Sequence, residues 1–265
     1  MAPTQEQRGE AFSALHLGDP FVIPNPWDAG TAKVLAGLGF KALATTSAGF
    51  AFTLGRVDGD VNLDEVIEHT RVLAGATELP LSVDLEHGYG ARPEDAALAI
   101  SRAAEAGAVG GSIEDYDPGG EIYELEHAAE RVAAAAEAAS KLGFPFTLTG
   151  RAENFVRDNP DLDDTITRLQ AYEKAGADVL YAPRLPELDQ IRAVCEAVSK
   201  PVNALATRRL TAAEMFEAGA QRISLGGWLL WATVGALADA GERIRDRGDF
   251  SMLAAPPDLM DWLGG

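Results

Sequence analysis

Short apolar runs alternate along this chain with longer stretches in which apolar residues recur every three or four positions. Four segments share one layout: a helical run ending near a glycine, one or two residues, then an apolar strand. They are LAGLGFKALATTS, AEAGAVGGSIED, YEKAGADVLYAPR and FEAGAQRISLGG. Each glycine fits a helix C-cap, where a left-handed backbone costs little without a Cβ. Two more strands, LSVDLEH and VNALA, follow a proline that stops the preceding segment. FVIPNPWDA and FPFTLTGRAE complete the set, so strands are predicted to begin near Phe21, Ala42, Leu81, Val109, Phe146, Val179, Val202 and Arg222. Intervening segments such as PEDAALAISRAAEAG and LEHAAERVAAAAEAASKLG carry helical spacing and are long enough for crossover helices.

Strands alternating with helices imply a parallel sheet, and eight such units favour an α/β fold of the closed (β/α)8 TIM-barrel type over a doubly wound sheet. No linker argues for a second domain. Residues 1–265 therefore read as a single domain, with a barrel over about 20–246 and a C-terminal tail over 247–265. TQEQRGEAFSALH reads as an extra helix before the first strand.

Composition narrows the functional classes. A formal charge of −19 over 265 residues argues against a nucleic-acid or anionic-membrane partner, because phosphate neutralisation needs clustered Lys and Arg. No apolar run reaches the length of a membrane span, and MAPTQEQRGEAFSALH lacks a signal peptide's apolar centre, so a cytoplasmic location is expected. Cys195 is the single cysteine and lies in the helical run LDQIRAVCEAV, where packing is its expected role.

In a barrel the functional end is the C-terminal end of the strands. Polar residues predicted there are Asn25, Trp27 and Asp28; Thr46, Ser47 and Gly49; Asp84, Glu86 and His87; Glu114 and Asp115; Arg151 and Glu153; Arg184; and Asn203. Strand alternation would put Asp84 and Glu86 on one face, where like charges repel unless a cation intervenes or one keeps a proton. Hard-cation chemistry accounts for the set, because Mg²⁺ keeps several waters and needs only a few carboxylates. Asp84, Glu86 and Glu114 are the candidates, and no His pair or Cys cluster suggests zinc. His16, His69 and His127 fall in helical runs and read as surface residues, while His87 reads as an orienting group.

The motifs NPWDAGTAKVLAGLGFKALATTSAGFA, DLEHGYG, SIEDY, TGRAENF and NALA occur in that order. With them the chain resembles the isocitrate lyase/phosphoenolpyruvate mutase superfamily over most of its length. The resemblance implies a (β/α)8 barrel, a homotetramer with the eighth helix exchanged between paired subunits, and Mg²⁺ as cofactor with Mn²⁺ as a substitute. It also implies a small 2-oxo or 2-hydroxy carboxylate as ligand and enolate-like species in the reaction. Carried over by motif, Asp84 resembles the direct Mg²⁺ ligand. Glu86, where many members have aspartate, and Glu114 resemble the partners of metal-bound water. Asp58 of GRVDGD matches a metal-side acid, and Ser47, Ala48 and Gly49 match the turn that grips the substrate carboxylate. Arg151 matches the arginine that steadies an oxyanion, with Asn203 and Trp27 beside the same pocket.

The departures bear on the reaction. Neither the Lys-Lys-Cys-Gly-His or Lys-Arg-Cys-Gly-His loop of isocitrate-type lyases nor the Lys and Asn of the mutase loop is present. In their place stands YDPGGEIYELEH, a glycine-hinged loop offering Tyr116, Glu121 and Tyr123. Arg151, Glu114 and Tyr116 are the catalytic candidates. The first expectation is a Mg²⁺-dependent lyase that cleaves a C–C bond. Phosphonate C–P mutase or hydrolase, oxaloacetate hydrolase and a non-catalytic 2-oxo acid binding protein are the alternatives. The run GGWLLWATVGALADAGERIRDRG is apolar from Trp228 to Leu237, too apolar for a helix with one face in water, which fits exchange with a neighbouring subunit.

Overall fold

Thr4 accepts a hydrogen bond from Gln7 N–H, and the Gln7 side chain accepts one from Thr4 N–H, a capping box that starts α1 (Gln5–Leu15). The computed structural model describes residues 2–254 and 258–264. The chain continues through β1 (Phe21–Ile23), α2 (Ala29–Gly37), β2 (Leu43–Ala44), α3 (Ser47–Thr53), α4 (Leu63–Ala76), β3 (Leu81–Asp84), α5 (Pro93–Glu105) and β4 (Gly110–Glu114). A hairpin of β5 (Tyr116–Asp117) and β6 (Glu121–Ile122) precedes α6 (Leu125–Ser140) and β7 (Thr147–Arg151). Then come α7 (Leu162–Lys174), β8 (Val179–Tyr181), α8 (Leu188–Ala197), β9 (Val202–Leu205), α9 (Ala212–Glu217), β10 (Arg222–Ser224), α10 (Trp228–Arg247) and α11 (Leu259–Leu263).

Eight parallel strands follow one another in the order β1-β10-β9-β8-β7-β4-β3-β2. Ala44 N–H donates to the Pro24 carbonyl at 3.0 Å and bridges the two ends of the sheet. The fold is a (β/α)8 barrel, and each strand starts within one residue of its predicted position. Alternation along the strands sorts the side chains. Ile113, Leu148, Leu180 and Ile223 pack outward against Ile100, Val132, Leu169 and Ile191 of the helices. The alternate positions Ser82, Ser112, Thr149, Asn203, Arg222 and Ser224 face inward, so the barrel interior is polar.

The barrel floor is closed by α1. Phe12 is fully buried against Phe21, Ile23 and Ala42. A Cβ on Gly110 would lie 2.7 Å from the Phe12 ring, so a glycine there admits the plug. His16, expected on the surface, is buried at the end of the same helix. Its Nδ1 donates to the Phe12 carbonyl at 2.8 Å and its Nε2 accepts from Arg222 Nη1 at 3.2 Å. Burial, reinforced by the Arg222 charge, lowers its pKa to about 3, so it is neutral.

Two other expectations change. The segment read as a glycine-hinged loop is a paired hairpin, in which Asp117 Oδ1 accepts from Gly119 N–H and Asp117 O from Gly120 N–H, both at 2.8 Å. The tail contains α11, whose Trp262 indole packs on Gly37 of α2; residues 255–257 and 265 of that tail lie outside the described residues. Of the twenty residues of α10 only Leu230 is buried, and Trp228, Trp231 and Leu237 are exposed. No described helix is long and apolar enough to cross a membrane.

Candidate active site

Strand register assembles the site. Glu114 of β4 lies beside Arg151 of β7, which lies beside Tyr181 of β8. Arg151 is ringed by carboxylates: Nη1 meets Asp84 Oδ1 at 2.9 Å, and Nη2 meets Glu114 Oε2 at 3.0 Å and Glu153 Oε1 at 2.8 Å. Burial alone would lower its pKa, but Glu153, Glu114 and Asp84 hold it well above the usual arginine value. Arg157 joins from the loop after β7, 3.4 Å from Glu114 Oε1 and 3.8 Å from Glu153 Oε2. Its guanidinium sits 3.4 Å above the Tyr116 ring, so Tyr116 is a cation–π platform here.

Asp84 and Glu86 come together differently from the strand-face expectation. β3 ends at Asp84, Leu85 is buried, and Glu86 has φ +48°, so strand alternation stops before Glu86. A tight turn brings the second acid back instead. Glu86 N–H donates to Asp84 Oδ1 at 3.3 Å, and Tyr89 OH donates to Glu86 Oε1 at 2.8 Å. Positive φ at both Glu86 and Tyr89 is backbone strain of the kind that clusters at functional sites. Burial first, and the Asp84 charge second, push the Glu86 carboxyl up to about 7. Burial and the Glu153 charge raise Glu114 well above its ordinary value. Asp58 is raised too, by desolvation and then by Asp84, although the nearby Ser47 side chain opposes the shift.

Asp58, Asp84, Glu86, Glu114 and Glu153 thus outnumber Arg151 and Arg157, and burial, with neighbouring acids adding to it, raises the pKa values of Asp58, Glu86 and Glu114. Among the described residues no three acids converge as a complete ligand set. A fully protein-ligated metal does not suit this arrangement. A hydrated hard cation does, with one carboxylate bound directly and others reached through water.

A cleft of about 190 Å³ opens beside the cluster, lined by Ser47, Ala48, Asp58, Asp84, Arg151, Tyr181, Arg184, Asn203 and Arg222 among others. Ser47 begins α3 and its N–H donates to Asp84 Oδ2 at 3.2 Å. Gly49 and Trp27 support this turn from behind. A Cβ on Gly49 would fall 2.5 Å from Thr46 Cγ2 and 3.3 Å from Trp27 Cβ. Asn203 Oδ1 accepts from Arg222 Nε at 2.8 Å, and its Nδ2 donates to Ser224 Oγ at 3.0 Å.

The model of the phosphoenolpyruvate phosphomutase family matches residues 12–245. The chain belongs to this family, within the isocitrate lyase/phosphoenolpyruvate mutase superfamily. It is 31% identical to the 2-methylisocitrate lyase of Escherichia coli (strain K12), over 73% of this chain and 68% of that one. It is 30% identical to an oxaloacetate decarboxylase of Rhodopseudomonas palustris (strain BisB18), over 75% and 71% respectively. A crystal structure of a Burkholderia cenocepacia J2315 protein described as a lyase/mutase superposes with TM-score 0.95 at 47% identity, covering 98% of this chain and 97% of that one.

Two groups beside the acid cluster escape a reading of strand ends. Tyr181 lines the cleft with its ring 5.3 Å from the Arg151 guanidinium. Burial raises its phenol pKa, so it is a neutral hydrogen-bond donor. Its signal was available: in DVLYAPR it stands two after Val179, on the same inward face. Arg157, reaching in from a loop, carries no such signal. Some strand-end candidates prove to be ties. Asn25 Oδ1 accepts from Leu225 and Gly226 N–H at 2.8 and 2.9 Å. Asp115 accepts from Tyr172 OH at 2.5 Å and from Glu153 N–H at 2.8 Å. His87, lowered to about 4 by burial and then by the Arg131 charge, is neutral, and burial raises Cys195 to about 11, so it is a thiol.

Proposed function

We propose that this protein is a Mg²⁺-dependent lyase that cleaves a carbon–carbon bond of a small 2-oxo or 2-hydroxy carboxylate through an enolate-like species. The observation that carries this reading is Arg151, a guanidinium fixed by three carboxylates at the cleft wall beside an excess of acids. In this reading the substrate carboxylate docks on the turn of Ser47, Ala48 and Gly49. Asp84 would hold Mg²⁺ directly, with Glu86, Glu114 and Asp58 holding its waters; Mn²⁺ suits the same oxygens. When bound there, the metal supplies Lewis-acid polarisation of the 2-oxo oxygen. Arg151 stabilises the developing oxyanion with a charge that does not titrate. Asn203, held by Arg222 and Ser224, orients the ligand from the cleft floor. Cleavage of a 2-hydroxy carboxylate passes the hydroxyl proton to the acid cluster at Asp58 as the carbonyl forms, and the carbanion it leaves takes a proton from Tyr181, the neutral donor that lines the cleft. Glu114, paired with Arg151, and Tyr116, beneath Arg157, hold the electrostatics of the Arg151 side.

Decarboxylation of a 2-oxo dicarboxylate proceeds through the same enolate, and the 30% identity to an oxaloacetate decarboxylase favours it as a second reading. A homotetramer is part of the proposal, because α10 buries almost nothing on its own barrel. So is a cytoplasmic location, where a free Cys195 stays reduced. Incubating purified protein with a panel of 2-oxo, 2-hydroxy and phosphonate acids, with Mg²⁺ or with EDTA, tests the reading. Metal-dependent cleavage of a carboxylate supports it. Metal-dependent binding without turnover of any panel member makes the protein a binding protein, and binding of none refutes the proposal.

A further inference from the structure

Three arginines that line the cleft differ in how they are occupied. Arg151 is ringed by three carboxylates. Arg222 is buried, and its guanidinium nitrogens donate to Asn203, His16 and Thr149. Arg184 is exposed, and among the described residues its side chain has neither a hydrogen bond nor an ion pair.

The backbone of Arg184 is left-handed, φ +63°, a conformation that strains any residue with a Cβ. It is flanked by Pro183 and Leu185, both buried. A rim arginine serving only to face water would relax or give way to glycine. Arg184 is strained and, among the described residues, unpaired just beyond the end of β8. In strand order Arg151 lies between it and Asp84, so the cleft carries acids at one side and a free cation at the other.

We propose that Arg184 is the receptor for a second carboxylate at the distal end of the substrate. The inference rests on the reading of Asp84 and the Ser47 turn as the site of the metal and the first carboxylate. A guanidinium fork matches the second carboxylate with two parallel hydrogen bonds.

Calorimetry on the Mg²⁺-loaded full chain tests this with three probes. Oxalate reports the metal and first-carboxylate site alone, and malate differs from 2-hydroxybutyrate by a carboxylate in place of a methyl group. Malate is expected to bind the wild type at least about tenfold more tightly than 2-hydroxybutyrate. Arg184→Gln and Arg184→Gly should both bring that ratio near one; the glycine variant relaxes the left-handed backbone, and oxalate binding reports that each variant is folded. Normal oxalate binding with a wild-type ratio near one, or a ratio that survives in both variants, overturns the role of Arg184 and leaves the metal-site reading standing. Failure of oxalate to bind the wild type overturns both.

Discussion

Replacing Arg151 by methionine should destabilise the fold in a pH-dependent way. The side chain is enclosed by Asp84, Glu114 and Glu153, of which Glu153 is 1% and Glu114 6% exposed. Removing one partner of a buried ion pair costs about 3–5 kcal/mol, because the remaining charges lose their compensation without regaining water. At about 2 °C per kcal/mol for a domain of this size, the melting temperature should fall by roughly 6–10 °C near pH 8. Glu114 can escape the penalty by taking up a proton. Its folded-state pKa, already raised, would rise further above the unfolded value. The folded variant then binds more protons than the unfolded chain, so its stability increases as pH falls. Urea unfolding followed by circular dichroism at pH 8 and pH 5 measures both terms. The deficit relative to wild type should shrink clearly at pH 5. Equal deficits at the two pH values, or a loss below about 1 kcal/mol at pH 8, would refute the claim that Arg151 neutralises a buried acid cluster.

Asp84→Ala should abolish Mg²⁺-dependent thermal stabilisation and leave the barrel folded, whereas Glu86→Ala should weaken it only partly, since water replaces a water-mediated ligand; unchanged Mg²⁺ affinity in Asp84→Ala by calorimetry counts against the site. Without metal, wild-type stability should fall by up to about 3 kcal/mol as pH rises from about 4.5 through 7, because folded Glu86 keeps its proton to about 7. Glu86→Gln should flatten that slope, and an identical slope in the variant would assign it to other groups. Arg151→Lys should lower turnover about 10²–10³-fold, since a point charge does not reproduce the guanidinium fork, and isocitrate should be a poor substrate; brisk isocitrate cleavage undiminished in the variant contradicts both. Light scattering at micromolar concentration should show a tetramer, and a monomer would sink the exchange of α10.

What the sequence determined by itself is the barrel and the roster of its rim. Gly and Pro punctuation with alternating helical and strand periods placed all eight strand starts within one residue, because caps and turns are local backbone chemistry. The order of polar residues after those strands was legible for the same reason, and so were the motifs that carry the family. How the residues meet was decided by tertiary structure. A left-handed turn at Glu86 replaced the strand face assumed for Asp84 and Glu86, a choice that depends on Tyr89 and Asp84 being there to hold it. Arg157 enters from a loop, and loops have no period to read. His16 looked like a surface helix residue until α1 was seen to plug the barrel floor and set it against Arg222. Arg151 could be named from its motif, but its three carboxylates converge from β3, β4 and the segment just after β7, and strand register brings residues 84, 114 and 151 to one point. Local periodicity fixes which residues end each strand, while charge compensation is a property of neighbours far apart in the chain.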